Sequence, residues 1–131
     1  MTESQLPITD MRVARPTTDL AKSLQFYVAA LGLERLGGFE NHSGYDGAFI
    51  GLKGAQWHIE LTRHTSGLPQ PSPTSEDLLV LYLAQPNLQE TIARLIAFGY
   101  SAVEHANPYW SSVGAAIFSD PDGYLLVLCP D

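Results

Sequence analysis

The 131-residue sequence has a single cysteine, Cys129. One thiol excludes an internal disulfide and a thiolate-rich metal cluster, and it reads as a small buried hydrophobe. Basic residues are scarce as well, with 7 Lys and Arg against 14 Asp and Glu and a formal charge of −7. No basic run is long enough to track a phosphate backbone, so nucleic acid is not an expected partner. No apolar run approaches the roughly 18 residues of a membrane span, which removes a membrane partner. The N-terminus carries Glu3, Pro7 and Asp10 where a secretory signal has a basic stretch and then an apolar one; the chain is therefore expected to be cytoplasmic. What is left is 45% hydrophobic and 16% charged. That is globular composition, sufficient for one domain that buries about two thirds of its unfolded surface.

The most informative stretch is the closing one, Gly114 to Leu128. Two apolar runs flank Ser119-Asp120-Pro121-Asp122-Gly123. Pro121 presets φ, Asp122 can bond back to the turn's backbone and Gly123 tolerates positive φ, so the stretch predicts a β-hairpin. Its second strand has no polar residue from Tyr124 to Cys129, which predicts cover on both faces.

Earlier in the chain, Met11 to Arg15 reads as a strand ended by Pro16. A helix follows from Asp19 to Leu31, capped by Thr18 or Asp19, with Leu20, Leu24, Tyr27, Val28 and Leu31 as its buried stripe and Gly32 as its C-cap. Strands are expected at Leu33 to Phe39, Tyr45 to Leu52 and Ala55 to Arg63. The Pro-, Ser- and Thr-rich stretch of about 65–75 reads as a linker. Beyond it come a strand from Leu78 to Ala84 and a helix capped by Asn87, with Leu88, Ile92, Leu95 and Ile96 buried. Leu20, Leu24, Tyr27 and Val28 recur 68 positions later as Leu88, Ile92, Leu95 and Ile96. Gly47, Ile50, Trp57, Ile59 and Leu61 recur 67 positions later as Gly114, Ile117, Tyr124, Leu126 and Leu128. The chain thus carries one unit twice, each a strand, a helix and three strands, in a single domain over 1–131 with modules at about 10–64 and 76–129. The fold class is α+β: two tandem βαβββ modules form curved mixed sheets around a cleft, with one helix per module on the outer face.

Asp19-Leu20, Ser23-Leu24, Phe26-Tyr27, Leu31-Gly32-Leu33, Ile59-Glu60-Leu61 and Asp120-Pro121-Asp122-Gly123-Tyr124 together resemble the vicinal oxygen chelate superfamily. That superfamily includes glyoxalase I, extradiol dioxygenases, and fosfomycin- and bleomycin-resistance proteins. The likeness spans about residues 10–129 and implies the paired βαβββ fold. It further implies that metal ligands, where there is a metal, come from the first and fourth strands of each module. Those positions here are Arg12, Glu60, Val80 (within one residue) and Val127. An arginine does not deprotonate and a valine has no donor atom, so no metal cofactor is expected.

Candidate site residues follow from the same strands. Arg12, His58 and Glu60 form a polar corner, with His58 and Glu60 two apart and on one face. Tyr82, Val80, Leu125 and Val127 line an apolar wall. Tyr109 and Trp110 suit a pocket mouth, offering broad apolar rings with one donor each. Arg15 could hold an anion. His42, His64 and His105 are expected to be exposed. Arg12 should stand where the metal would be and grip Glu60 through two parallel hydrogen bonds. The expected activity is metal-free binding of a small organic molecule. The alternative is a lyase, isomerase or dioxygenase with Glu60 as its general base. A homodimer is the expected assembly.

Overall fold

The computed structural model of the chain describes residues 5–131. β1 (Arg12–Pro16) leads into α1 (Leu20–Leu24), which continues as a π-helical segment, Gln25–Ala30. Asp19 caps the helix by accepting from the Lys22 N–H, and Gly32 ends it at φ 101°, a left-handed conformation that favours glycine. β2 (Glu34–His42), β3 (Tyr45–Gly51) and β4 (His58–His64) complete the first sheet in the order β1-β4-β3-β2, β1 running parallel to β4.

The second module holds β5 (Leu78–Leu83), α2 (Asn87–Ala97), α3 (Tyr109–Ser112), β6 (Ala116–Ser119) and β7 (Leu125–Pro130). Its sheet has three strands, β5-β7-β6. The expected fourth is reduced to a single bridge between Ala102 and Phe118. Glu104, Asn107 and Pro108 make this stretch a poor strand, and it leads instead into the one-turn helix α3.

In each sheet, alternate side chains go to opposite faces. Ile50, Ile59 and Leu61 from the first sheet and Phe118, Leu126 and Leu128 from the second share one core with Phe26, Tyr27, Leu88 and Leu95 of the helices. The helices touch directly, Arg94 donating to the Ala29 carbonyl at 3.0 Å. The opposite face of each sheet is turned away from that shared core.

Helix phases differ from the sequence reading. Fully buried on the first helix are Ser23, Phe26, Tyr27 and Ala30, while Leu24 and Val28 are only partly covered. The π-helical turn rotates the stripe, and Phe26 stacks edge-on to Tyr27 and Tyr100. On α2, Leu88 and Leu95 are buried, Ile92 is partly so, and Ile96 is exposed. Asn87 is the first residue of α2 and makes no side-chain cap.

The closing hairpin forms as expected, with Gly123 at φ 93°. The carboxylate that braces the turn is that of Asp120, which accepts from the Asp122 and Tyr124 N–H groups at 2.8 and 2.9 Å. Asp122 reaches out of the turn instead. It accepts from Thr17 Oγ1 at 2.6 Å, from Thr18 N and Oγ1 at 2.9 and 2.7 Å, and from Ser23 Oγ at 3.3 Å. The last hairpin of the second module is thereby pinned to the first helix of the first.

Candidate functional site

β1 and β4 bring Arg12, His58 and Glu60 together on the outward face of the first sheet. Their register pairs Arg12 with His58 and Ala14 with Glu60. Arg12 Nε donates to His58 Nε2 at 2.9 Å, which leaves the proton of a neutral imidazole on Nδ1. That atom lies 3.4 Å from an Asp10 carboxylate oxygen. Arg12 NH1 stands 3.9 Å from Glu60 Oε1, the outer limit of an ion pair. The expected two-bond fork between Arg12 and Glu60 is absent, because the parallel register places the guanidinium beside His58, two pairs short of Glu60. Glu60 is 16% exposed at its side chain and Arg12 49%.

Beside this corner lies an aromatic shelf that the sequence reading missed. Arg12 sits over the Phe49 ring at 4.6 Å, and Phe49 meets Phe39 at 5.9 Å and the edge of His58 at 6.0 Å. Phe39 lies across Gly47, where a Cβ would fall inside the ring's contact distance. The signal was present in Tyr45-Asp46-Gly47-Ala48-Phe49-Ile50-Gly51. Ala48 and Ile50 go to the core, so the alternation sends Gly47, Phe49 and Gly51 to the Glu60 face.

The other candidate residues are placed elsewhere. Val80, Leu125 and Val127 lie on the outward face of the second sheet, where Trp110 and Val113 pack against Ile117, Val127 and Cys129. Tyr82 and Tyr109 are exposed, at 64% and 54%. Within one chain, no hydrogen bond, ion pair or ring contact among the described residues joins Tyr82, Tyr109 and Trp110 to Arg12, His58 and Glu60. A groove of about 950 Å³ separates the unpaired edges of β1 and β5, lined in part by Met11, Val13, Trp57, Leu79 and Leu81. His58 and Tyr82 reach it, but Arg12, Glu60, Tyr109 and Trp110 are not among its walls.

The Arg15 guanidinium is held from within the chain through one terminal nitrogen, and its buried Nε has no hydrogen-bond partner. It donates to Tyr27 Oη at 3.0 Å and lies 4.4 Å over the Tyr124 ring. Tyr27 in turn donates to Asp120 at 2.6 Å. Burial raises the Tyr27 pKa well above its usual value, with Arg15 opposing and Asp120 reinforcing. Burial also raises the Asp120 pKa, against the hydrogen bonds from Tyr27 and the turn. Of the other histidines, His42 is exposed, while His64 and His105 are half-buried and bonded to Ser66 and to the Ser75 carbonyl.

The register also corrects the second module's equivalences. Leu78 pairs with Leu125 and Val80 with Val127, so the counterpart of Arg12 is Leu78 and that of Ala14 is Val80. Both are aliphatic. Among the described residues no three of His, Cys, Asp and Glu come together as a metal site would require. A divalent metal does not fit this donor set, because Arg12 occupies His58 Nε2 and among the described residues no third donor joins His58 and Glu60 in one cluster. The chemistry available here is that of a guanidinium, an imidazole and a mostly buried carboxylate beside a hydrophobic shelf.

Comparison with known proteins supplies the relatives. Residues 11–62 match the family model of the YycE-like N-terminal domain and residues 76–130 that of the YycE-like C-terminal domain. Protein YycE of Bacillus subtilis (strain 168) is 42% identical over 127 residues, covering 95% of this chain and 89% of that protein. A crystal structure of a Bacillus subtilis YycE protein of unknown function matches with a TM-score of 0.88 at 38% identity, over 98% of this chain and 94% of that one. Leishmania major glyoxalase I matches at 0.73 and 18% identity, over 96% and 87%. TnmS3, an antibiotic binding protein from Streptomyces sp. CB03234, matches at 0.69 and 24% identity, over 98% of each chain. At those two identities the likeness is one of fold, that of the glyoxalase and vicinal oxygen chelate proteins. The same fold carries an enzyme and a binding protein, so the fold alone does not select between them.

Proposed function

The chain belongs to the YycE-like family, and on that premise we propose that it binds a small organic molecule, without a catalytic metal, on the face that carries Arg12, Phe49, His58 and Glu60. One observation carries the reading: where the resembled enzymes place metal ligands, this chain has a single carboxylate, Glu60, a guanidinium stacked on a phenylalanine and, in the second module, only aliphatic side chains. The binding unit is a homodimer. The polar face of the first sheet and the apolar face of the second both point away from the shared core, so a second copy has to bring the apolar wall to the polar corner. Met11, Val13 and Tyr82 stand exposed along the two unpaired strand edges and supply apolar surface for that contact.

A thermal-shift screen of small organic molecules tests the reading, run on the wild type and on Phe49→Ala. Hits whose shift is lost in the variant are expected. One tightly bound divalent ion per chain by elemental analysis, or hits indifferent to Phe49, would overturn it.

A second reading, a metal-independent lyase or isomerase with Glu60 as base, is favoured by the mostly buried Glu60 carboxylate. Turnover that survives Glu60→Gln would remove it.

A further inference from the structure

Arg12 and Glu60 are close but not joined. Their nearest atoms are 3.9 Å apart, too far for a direct hydrogen bond. Arg12 uses Nε on His58, which leaves the two terminal nitrogens of its fork with no hydrogen bond to a described residue. No hydrogen bond from a described residue reaches the Glu60 carboxylate either. A guanidinium with spare donors therefore faces a carboxylate with spare acceptors, beside the flat faces of Phe49 and Phe39.

From this juxtaposition we propose that the ligand is a flat, uncharged molecule whose polar edge sets a hydrogen-bond acceptor beside a donor, as a carboxamide or lactam does. The inference rests on the reading above that this face holds a small molecule. The carbonyl accepts from Arg12, the N–H donates to Glu60, and the ring lies against the part of the Phe49 and Phe39 shelf that Arg12 leaves uncovered. Both unmet groups are satisfied together, which matters most once a covering wall removes water from them.

Charged edges fit less well for an electrostatic reason. An anion drawn to Arg12 is repelled by Glu60 at similar range, with Asp10 behind His58 adding to the repulsion. A cation drawn to Glu60 is repelled by Arg12. A dipolar edge meets one favourable partner at each end and no opposing charge.

Three ligands with one ring system and different edges decide the matter: 2-naphthamide, 2-naphthoate and 2-naphthylmethylammonium, titrated by calorimetry into the wild type, Glu60→Ala and Arg12→Ala. The wild type is expected to bind the amide at least about tenfold more tightly than either ion, a difference well resolved by the method. Glu60→Ala should shift preference toward the naphthoate, and Arg12→Ala toward the ammonium. A merely structural effect of either substitution would weaken all three alike and count against the proposal. An ion that binds the wild type as well as the amide does would overturn the amide edge while leaving the binding reading intact. Failure of all three to bind would overturn the proposal, and the binding reading would then stand or fall on the thermal-shift screen.

Discussion

Asp122→Ala perturbs a carboxylate that ties the two modules together through four polar contacts, beside the single Tyr27–Asp120 hydrogen bond. It accepts two hydrogen bonds from Thr18, one from Thr17 and a longer one from Ser23. A hydrogen bond to a charged group contributes about 1.5–3 kcal/mol net, but these four do not add. Thr18 is exposed and regains water, while the buried Thr17 and Ser23 hydroxyls still bond each other at 2.6 Å. The loss is therefore expected to be about 2–4 kcal/mol at pH 7, measured by urea denaturation. Acid should reveal the same contact. Burial raises the Asp122 pKa, but the hydrogen bonds from Thr17, Thr18 and Ser23 outweigh it and hold the group below the usual carboxylate range. A depressed pKa contributes stability that is present above the unfolded value and lost as pH falls through the folded one. The gap between wild type and variant should therefore narrow below about pH 4. Asp120 works in the opposite sense. Its raised pKa contributes stability that is present in acid and lost as pH climbs through the folded value, and this component should persist in the variant. A loss under about 1 kcal/mol, or a gap that does not change with pH, would refute the assignment of Asp122 as a polar tie between the modules.

Three further outcomes are expected. Phe26→Ala should cost about 3–5 kcal/mol in chemical denaturation, because the ring is fully buried, and Leu24→Ala distinctly less because Leu24 is only partly covered; equal losses would contradict the rotated helix phase. Val13→Asp should convert a dimer to a monomer in sedimentation velocity while leaving the far-UV spectrum intact, and a monomeric wild type at micromolar concentration would remove the shared cleft. Gly123→Ala should destabilise by about 1–2 kcal/mol, since φ of 93° suits glycine and the added methyl meets only Pro73 Cγ at 3.4 Å; a neutral result would show that the turn relaxes.

The sequence by itself determined the class of fold, because the signals involved are local. Period-3.6 and period-2 patterning, Gly32, Gly123 and the Asp-Pro-Asp-Gly turn each act within a few residues of themselves. Their repetition 67 or 68 positions apart exposed two similar modules. The resemblance to the vicinal oxygen chelate superfamily set Arg12, His58 and Glu60 on neighbouring strands and put Arg12, Glu60, Val80 and Val127 at the positions where that family places ligands. Only the tertiary structure decided the pairing. A register offset of two pairs gave the Arg12 hydrogen bond to His58 and left Glu60 at 3.9 Å, and a strand's own sequence does not state its neighbour's register. The π-helical turn that buries Phe26 in place of Leu24 likewise answers to packing from both sheets, which a single helix's periodicity does not contain. The Phe39 and Phe49 shelf exists because β2 and β3 pair across Gly47. Asp122 became a tie between modules, and not a brace for its own turn, because Thr17 and Ser23, about 100 residues away in sequence, fold against it. The orientation of the two outward faces is of the same kind, since it depends on which side of each sheet the common core claims.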